Sequence, residues 1–372
     1  MLRNEPVLIV DLAKFYGGAD VRVVTLARML HGQRPYAVVT LQDSVLHRQL
    51  EAAGLVCFSV PFSRGDPRVL LYLYRLIRNG AYSVIDVHNP QSQFWGGLAA
   101  LLGGAKKIVS TVHSAYGQEH GYSLKGRLYE LILLLCYRLG FHFIAVSESV
   151  HNYLGELGIA PTKISLIHNA IDFGELGSTG RHAALFKELG WDSNVFVLTV
   201  VGRLESVKGH EYLFSALGRV AKSKSLLRCL VVGDGARREE YQEQVRKSGL
   251  GDIVHFAGFQ NDVPALLSGS DAFCLPSLSE GLPYAALEAC SFRLPLLLSD
   301  VGGLSELFEH GKTAILVPPA DINALEHGIN WLMDYPADAR ALGEAAFRLV
   351  KQKSDVTEMY NKTLEIYQWN RL

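Results

Sequence analysis

Two cations, Arg203 and Lys208, flank a short loop in VVGRLESVKGHEYL. An apolar run ends at Gly202 just before them, and Gly209 opens a helical pattern just after. Cations beside a helix N-terminus suit a phosphate, because free N–H groups and the helix dipole add to their charge. Lys208 would act as a point charge and Arg203 as a planar fork. A pair of solvated surface cations is the competing reading. Two carboxylates follow in LPSLSEGLPYAALEAC: Glu280 in a loop after a strand, and Glu288 in the body of a short helix whose first turn takes Pro283. The loop carboxylate can accept hydrogen bonds from hydroxyls, and the second can grip a vicinal diol such as a ribose with both oxygens. Gly281 permits close backbone approach. The competing reading is an acidic loop plus an exposed helical Glu. It sits badly with Glu288, whose apolar frame makes an unpaired charge costly. In the first half, Gly17 and Gly18 stand between a strand and a helix, where a ligand could approach the backbone; a flexible turn explains them as well. His88 in IDVHNPQS and His113 in STVHSAYG each end a strand. Strand ends are where an α/β sheet places its site, although a lone histidine there is more often a hydrogen-bonded structural residue.

The elements that must position these residues alternate. PVLIVDL, PYAVVTL, VCFSVPF, SVIDVHN, KKIVSTVH and FHFIAVS are short apolar runs with helical patterns between them. Such alternation predicts a parallel sheet covered on both faces. The stretch NAIDFGELGSTGRHAALFKELGW breaks the rhythm, which places a domain junction near 172–182 and gives domains 1–172 and 173–355. The pattern then restarts at VFVLTVVG and runs through LRCLVVGDG, DIVHFAGF, DAFCLPS, LPLLLSD and AILVPP, a second doubly wound α/β unit. VTEMYNKTLEIYQWN reads as one amphipathic helix. Two sheets whose carboxyl edges face one another would form a central cleft.

Length and composition agree with two domains: 372 residues, 49% hydrophobic and 20% charged. A net charge of −1 argues against a nucleic-acid partner. Residues 1–172 hold 16 Lys+Arg against 12 Asp+Glu, and the remainder 20 against 25. The first half is therefore the positive one. The longest apolar run, Leu131 to Tyr137, is far short of the ~20 residues of a membrane span, and the N-terminus lacks the form of a signal peptide. The five cysteines form no C-x-x-C pair, so neither a zinc site nor a disulfide framework is expected, and a reduced, cytoplasmic protein is. There is no D-x-D for a divalent cation, no P-loop, no G-x-S-x-G and no G-x-G-x-x-G.

The tracts VGRLESVKGHEYL, VVGDGARREEY, HFAGFQNDVPALLSGSDAFCLPSLSEGLPYAALEA and SDVGGLSELFEHGKTAILVPPAD resemble, in that order, the donor-binding domain of family 4 glycosyltransferases. YGGAD, DVHN, TVHS, AVSESV and LIHNAID are similar to that family's acceptor domain. The resemblance implies the GT-B fold, two Rossmann-like domains facing a cleft, with the helix 356–372 packing back on the first. It places Arg203 and Lys208 on the donor pyrophosphate, Glu288 on the ribose, and Glu280 on the donor sugar, with Gly281, Leu282 and Pro283 offering backbone groups beside it. Ala257, Gly258 and Phe259 fall at the base-binding turn. Gly17 and Gly18 meet the phosphates, His113 lies near the transferred sugar, and His88, a weaker match, lines the acceptor side. Asp20 receives no role. Arg293 stands where the family has glycine, which implies a local change of turn.

The implied activity is retaining transfer of a hexose-type sugar from a nucleotide-sugar, a UDP-sugar on family frequency, to a glycan or lipid-linked acceptor in cell-surface polysaccharide synthesis. No cofactor and no metal are expected. A GT-B epimerase or phosphorylase, a non-catalytic GT-B subunit and a nicotinamide-dependent oxidoreductase are the alternatives. The intact element from Glu280 to Glu288 and the order of the motifs count against the first, the intact Arg203, Lys208, Glu280 and Glu288 against the second, and the missing G-x-G-x-x-G against the third. A weak peripheral contact with the inner face of the membrane is a further expectation. The segment SLKGRLYELILLLCYRLG reads as a buried core helix, because LILLLCY is apolar on every face; an interfacial helix is the competing reading.

Overall fold

The computed structural model describes residues 5–121, 123–174, 189–192 and 194–368. In chain order the first elements are β1 (Val7–Val10), α1 (Gly18–Leu30), β2 (Tyr36–Leu41), α2 (Val45–Ala52), β3 (Cys57–Val60), α3 (Arg68–Asn79), β4 (Val84–Val87), α4 (Pro90–Gly103) and β5 (Lys107–Val112). Then come α5 (Tyr116–Glu119), α6 (Leu124–Arg138), β6 (His142–Ala145), α7 (Glu148–Glu156) and β7 (Ile164–Leu166). The strands pair in the order β3-β2-β1-β4-β5-β6-β7, all parallel. β1, β4 and β6 are buried at every position, as strands covered on both faces must be. β7 was not foreseen. It is three residues long and carries Ser165 in its middle.

The second series is β8 (Phe196–Val201), α8 (His210–Val220), β9 (Leu227–Val232), α9 (Arg238–Lys247), β10 (Val254–Gly258), α10 (Val263–Ser268) and β11 (Ala272–Leu275). It continues with α11 (Tyr284–Ser291), β12 (Leu296–Ser299), α12 (Gly302–Leu307), β13 (Ile315–Val317), α13 (Ile322–Asp334) and α14 (Pro336–Lys353). Its parallel sheet has the order β10-β9-β8-β11-β12-β13. The last helix, α15 (Val356–Gln368), belongs to the first unit. Met359, Tyr360 and Tyr367 enter a core that includes Val7, Ile9 and Leu26, and Lys107 Nζ donates to Ile366 O at 2.7 Å. The units divide at Ala170/Ile171 and again at Asp355/Val356. The first of these lies two residues before the junction read from the sequence. Most of the polar stretch assigned to that junction, 175–188, lies outside the described residues.

Both sheets are doubly wound. In the first, the chain steps outward from β1 to β2 and β3, then returns to β4 on the other side of β1. In the second it goes from β8 to β9 and β10, then returns to β11. Each reversal opens a crevice beyond the carboxyl ends of two adjacent strands, β1/β4 and β8/β11, and there no connecting helix covers the sheet edge.

The reading of the leucine-rich segment as a buried core helix is corrected. α6 buries Gly126, Leu133 and Cys136, but Leu124, Leu128, Leu131, Leu135 and Leu139 are 39–85% exposed. These five recur at helical spacing along one face. The opposite side of α6 packs against α4 and α5, and Glu130 accepts from Tyr153 of α7. A helix apolar on every face is compatible with one-sided burial, and sequence periodicity cannot tell the two apart.

Candidate functional site

The crevice of the second unit holds the cations and the loop carboxylate together. Beyond β8, a 3₁₀ turn at Ser206–Lys208 leads into α8 with Gly209 as its N-cap. Gly209 adopts φ +66, and a Cβ there would lie 2.0 Å from Pro276 O. Only glycine lets the two loops approach so closely. Leu278 N donates to Val207 O at 2.7 Å, which pins the loop after β11 to the loop after β8. In that clamp Lys208 Nζ lies 2.5 Å from Glu280 Oε1, and Ser277 Oγ donates to the same oxygen at 2.6 Å. The Glu280 side chain is 7% exposed and that of Lys208 16%. Arg203 pairs with Glu205 at 3.1 Å. An ammonium, a guanidinium and the start of a helix thus converge beyond β8, with a carboxylate from beyond β11 closing on the ammonium.

Pro283 is the N-cap of α11 and not a residue of its first turn; its ψ of 129 is extended. Leu282 is buried, and Gly281 O accepts from Gly303 N at 2.7 Å, joining the loop after β11 to the first turn of α12. Glu288 stands one turn into α11, half-buried. Burial pushes its carboxyl pKa up to about 7. The turn expected at 257–259 is the end of β10. Gly258 has φ +68 and its carbonyl accepts from Gly233 N at 2.8 Å, while Phe259 is 38% exposed.

The first unit builds a different crevice. Gly17 caps α1; its N–H donates to Asp20 Oδ2 at 2.7 Å, and its carbonyl accepts from Asp20 N at 3.1 Å. Asp20, given no role from sequence, is therefore what holds the Gly17-Gly18 loop. The signal was present, because a carboxylate three residues after an N-cap is capping-box spacing. His88 and His113, ending β4 and β5, are brought together: His88 Nδ1 and His113 Nε2 are 3.0 Å apart, with the rings stacked at 5.3 Å. His88 Nε2 lies 3.4 Å from Asp86 Oδ2. Asp86 is fully buried and accepts from Thr111 Oγ1 at 3.0 Å and from Tyr367 Oη at 2.6 Å. Burial, His88 and Arg22 together push the His113 pKa well below the ordinary histidine value. Asp11, beyond β1, accepts from Asn89 Nδ2 at 2.6 Å, and burial raises its pKa.

The family model for glycosyl transferases group 1 matches residues 182–349, and that for glycosyltransferase family 4 matches residues 16–175. The chain belongs to the family 4 glycosyltransferases. The UDP-Gal:alpha-D-GlcNAc-diphosphoundecaprenol alpha-1,3-galactosyltransferase of Escherichia coli is 27% identical over 307 residues, 79% of each chain. An alpha-D-kanosaminyltransferase of Streptomyces kanamyceticus is 29% identical over 197 residues, 52% of this chain and 51% of that one. HepE of Anabaena, solved with UDP and glucose, superposes with a TM-score of 0.85 at 22% identity, covering 97% of this chain and 98% of that one. The fold is GT-B.

In this glycosyltransferase Arg293, where a local change of turn is expected, sits in the left-handed region. Arg293 has φ +56, the left-handed conformation that the family's glycine would take freely. Its side chain pairs with Glu344 at 3.0 Å and lies 4.2 Å from the centre of the Phe347 ring, contacts that offset the strain. Asp86 and Tyr367 were missed in the sequence, because they are 281 positions apart and no local spacing joins them. Among the described residues, no group of three or more His, Cys, Asp or Glu is placed to hold a metal ion, and no helix is long and apolar enough to cross a membrane.

Proposed function

We propose that this glycosyltransferase moves a hexose-type sugar, with retention and without a metal, from a UDP-sugar to a lipid-linked or glycan acceptor in cell-surface polysaccharide synthesis. The observation that carries the reading is the clamp beyond β8 and β11, where Lys208 and Glu280 meet beside Arg203 and the start of α8. The leaving group is a nucleoside diphosphate, and charge grows on it as the anomeric bond breaks. Arg203, Lys208 and the helix N-terminus are fixed in advance to stabilise that charge. The diphosphate takes over Lys208, and this releases the Glu280 carboxylate to the sugar hydroxyls. Glu288 grips the ribose diol. The acceptor attacks on the face from which the phosphate leaves, and a departing phosphate oxygen takes its proton. His113, held neutral, binds beside the sugar and is not the nucleophile.

Transfer from a UDP-sugar to a polyprenyl-diphosphate-linked sugar should therefore persist in excess EDTA. Complete loss, restored by magnesium or manganese, contradicts the metal-free reading.

The exposed leucine face of α6 supports a peripheral membrane contact. Lys125, Arg127 and Arg138 lie on the same helix. Its single acid, Glu130, is half-buried and accepts from Tyr153 Oη at 3.0 Å. Leucines rimmed by unopposed cations fit an anionic bilayer surface, at the inner face of the membrane. The protein should float with anionic liposomes at low salt and less at high salt, and Leu128→Ser with Leu131→Ser should abolish flotation. Equal flotation of this double variant, or none of the native protein at any salt, removes the membrane from the account.

A further inference from the structure

The chain Tyr367–Asp86–His88–His113 runs from the last helix to the residue placed beside the transferred sugar, and every member but His113 is fully buried. Three facts fix its proton arrangement. Asp86 accepts from Thr111 Oγ1 at 3.0 Å and from Tyr367 Oη at 2.6 Å, two hydroxyl donors that suit a carboxylate. A carboxylate only accepts, so the His88 nitrogen facing it at 3.4 Å, Nε2, must carry a proton. The contact is longer than a formed hydrogen bond and acts as orientation by charge. The other His88 nitrogen, Nδ1, faces His113 Nε2 at 3.0 Å, and one proton is shared across that gap. The far nitrogen of His113, Nδ1, is covered from solvent with no hydrogen-bond partner. A proton placed there would be a buried donor without an acceptor. It would also require His88 to be a cation in a pocket that already holds Arg22, whose Nη1 donates to Asn169 Oδ1 at 2.9 Å. Among the described residues, Asp11 faces His88, Arg22 faces His113, and Arg22 and Arg34 both act on Tyr367.

We propose that Asp86, with Tyr367 clamping it from α15, is a positioning residue that fixes His113 as the neutral Nε2–H tautomer with a bare Nδ1. Asp86 orients the His88 Nε2–H, His88 Nδ1 accepts from His113 Nε2–H, and His113 Nδ1 is left without a proton. The return of α15 to the first unit then serves the reaction: its Tyr367 hydroxyl completes the relay. The functional half of the proposal rests on the placing of His113 beside the transferred sugar; the tautomer half does not.

The test is long-range proton–nitrogen NMR of the full chain labelled with 15N-histidine, with His113→Gln and His88→Gln used for assignment. At neutral pH His113 should be protonated at Nε2 and bare at Nδ1. Asp86→Asn should shift the ring nitrogens of both His88 and His113 and lower kcat about tenfold or more, with nucleotide affinity unchanged. Tyr367→Phe removes one hydroxyl from a side chain that keeps its packing, so it carries the test if Asp86→Asn fails to fold. It should give the same pattern at smaller amplitude. A proton on His113 Nδ1 in the native protein overturns the proposal. So does a fall in kcat with both sets of ring resonances unmoved, since that is what a merely structural role would give. The expected resonances with kcat unchanged in both variants would retain the tautomer and overturn the role of the relay in transfer.

Discussion

Glu280→Ala should lower turnover by about 10³-fold while nucleotide affinity stays within about threefold of native or rises. Two hydrogen bonds from sugar hydroxyls to a carboxylate are worth about 1.5–3 kcal/mol each. Losing both where they matter most, in the transition state, corresponds to roughly 10²–10⁴ in rate. The sign on nucleotide binding follows from the ion pair. Without donor, Glu280 holds Lys208 at 2.5 Å, and the diphosphate must displace that contact. Alanine removes the competitor and leaves the ammonium to the phosphates. A partly buried cation without its partner also lowers stability, so melting should fall in the free protein and recover with UDP. Steady-state kinetics and calorimetry read the two quantities separately. Native turnover at saturating donor would show that Glu280 has been misplaced.

Glu288→Ala should act in the opposite manner, weakening nucleotide binding by about 10²-fold with a much smaller effect on kcat, because the ribose is held equally in the ground and transition states. Its pKa adds a signature. Burial raises the carboxyl from 4.5 to about 7, and the form that grips a diol with both oxygens is the ionised one. Nucleotide affinity should therefore be level above pH 7 and fall by up to about tenfold per unit below it. The sign for stability is reversed: between 4.5 and about 7 the folded chain holds a proton that the unfolded chain has lost, so this group's contribution to stability falls as pH rises through that window. Glu288→Gln should flatten the binding profile. A profile in Glu288→Gln with the native bend would assign the titration elsewhere.

What could be read from the residues alone follows from which forces are local. Strands such as β1 and β11 are continuous apolar runs because both faces are covered, and the ends of β8, β4 and β5 carry Arg203, His88 and His113 at positions a sequence displays. Glu280 and Glu288 were legible because a loop, an N-cap and one helical turn fix their separation. α13 was also legible and was passed over: Leu325, Ile329 and Leu332 stand at helical spacing and are buried. β7 offers too few residues to show a pattern. The relay was not legible, because Asp86 meets Tyr367 only after α15 has crossed back onto the first unit. Nor was the exposure of α6, since an all-apolar segment does not say which neighbours will cover it.

The configuration of the product tests the central claim most directly. A UDP-sugar with an α anomeric bond, incubated with this protein and a polyprenyl-diphosphate-linked acceptor, should give a new glycoside whose anomeric proton and carbon signals in NMR are those of the α linkage. A β-linked product would contradict transfer with retention, in which the leaving phosphate takes the acceptor proton. Consumption of the donor with no glycoside formed would contradict transfer itself.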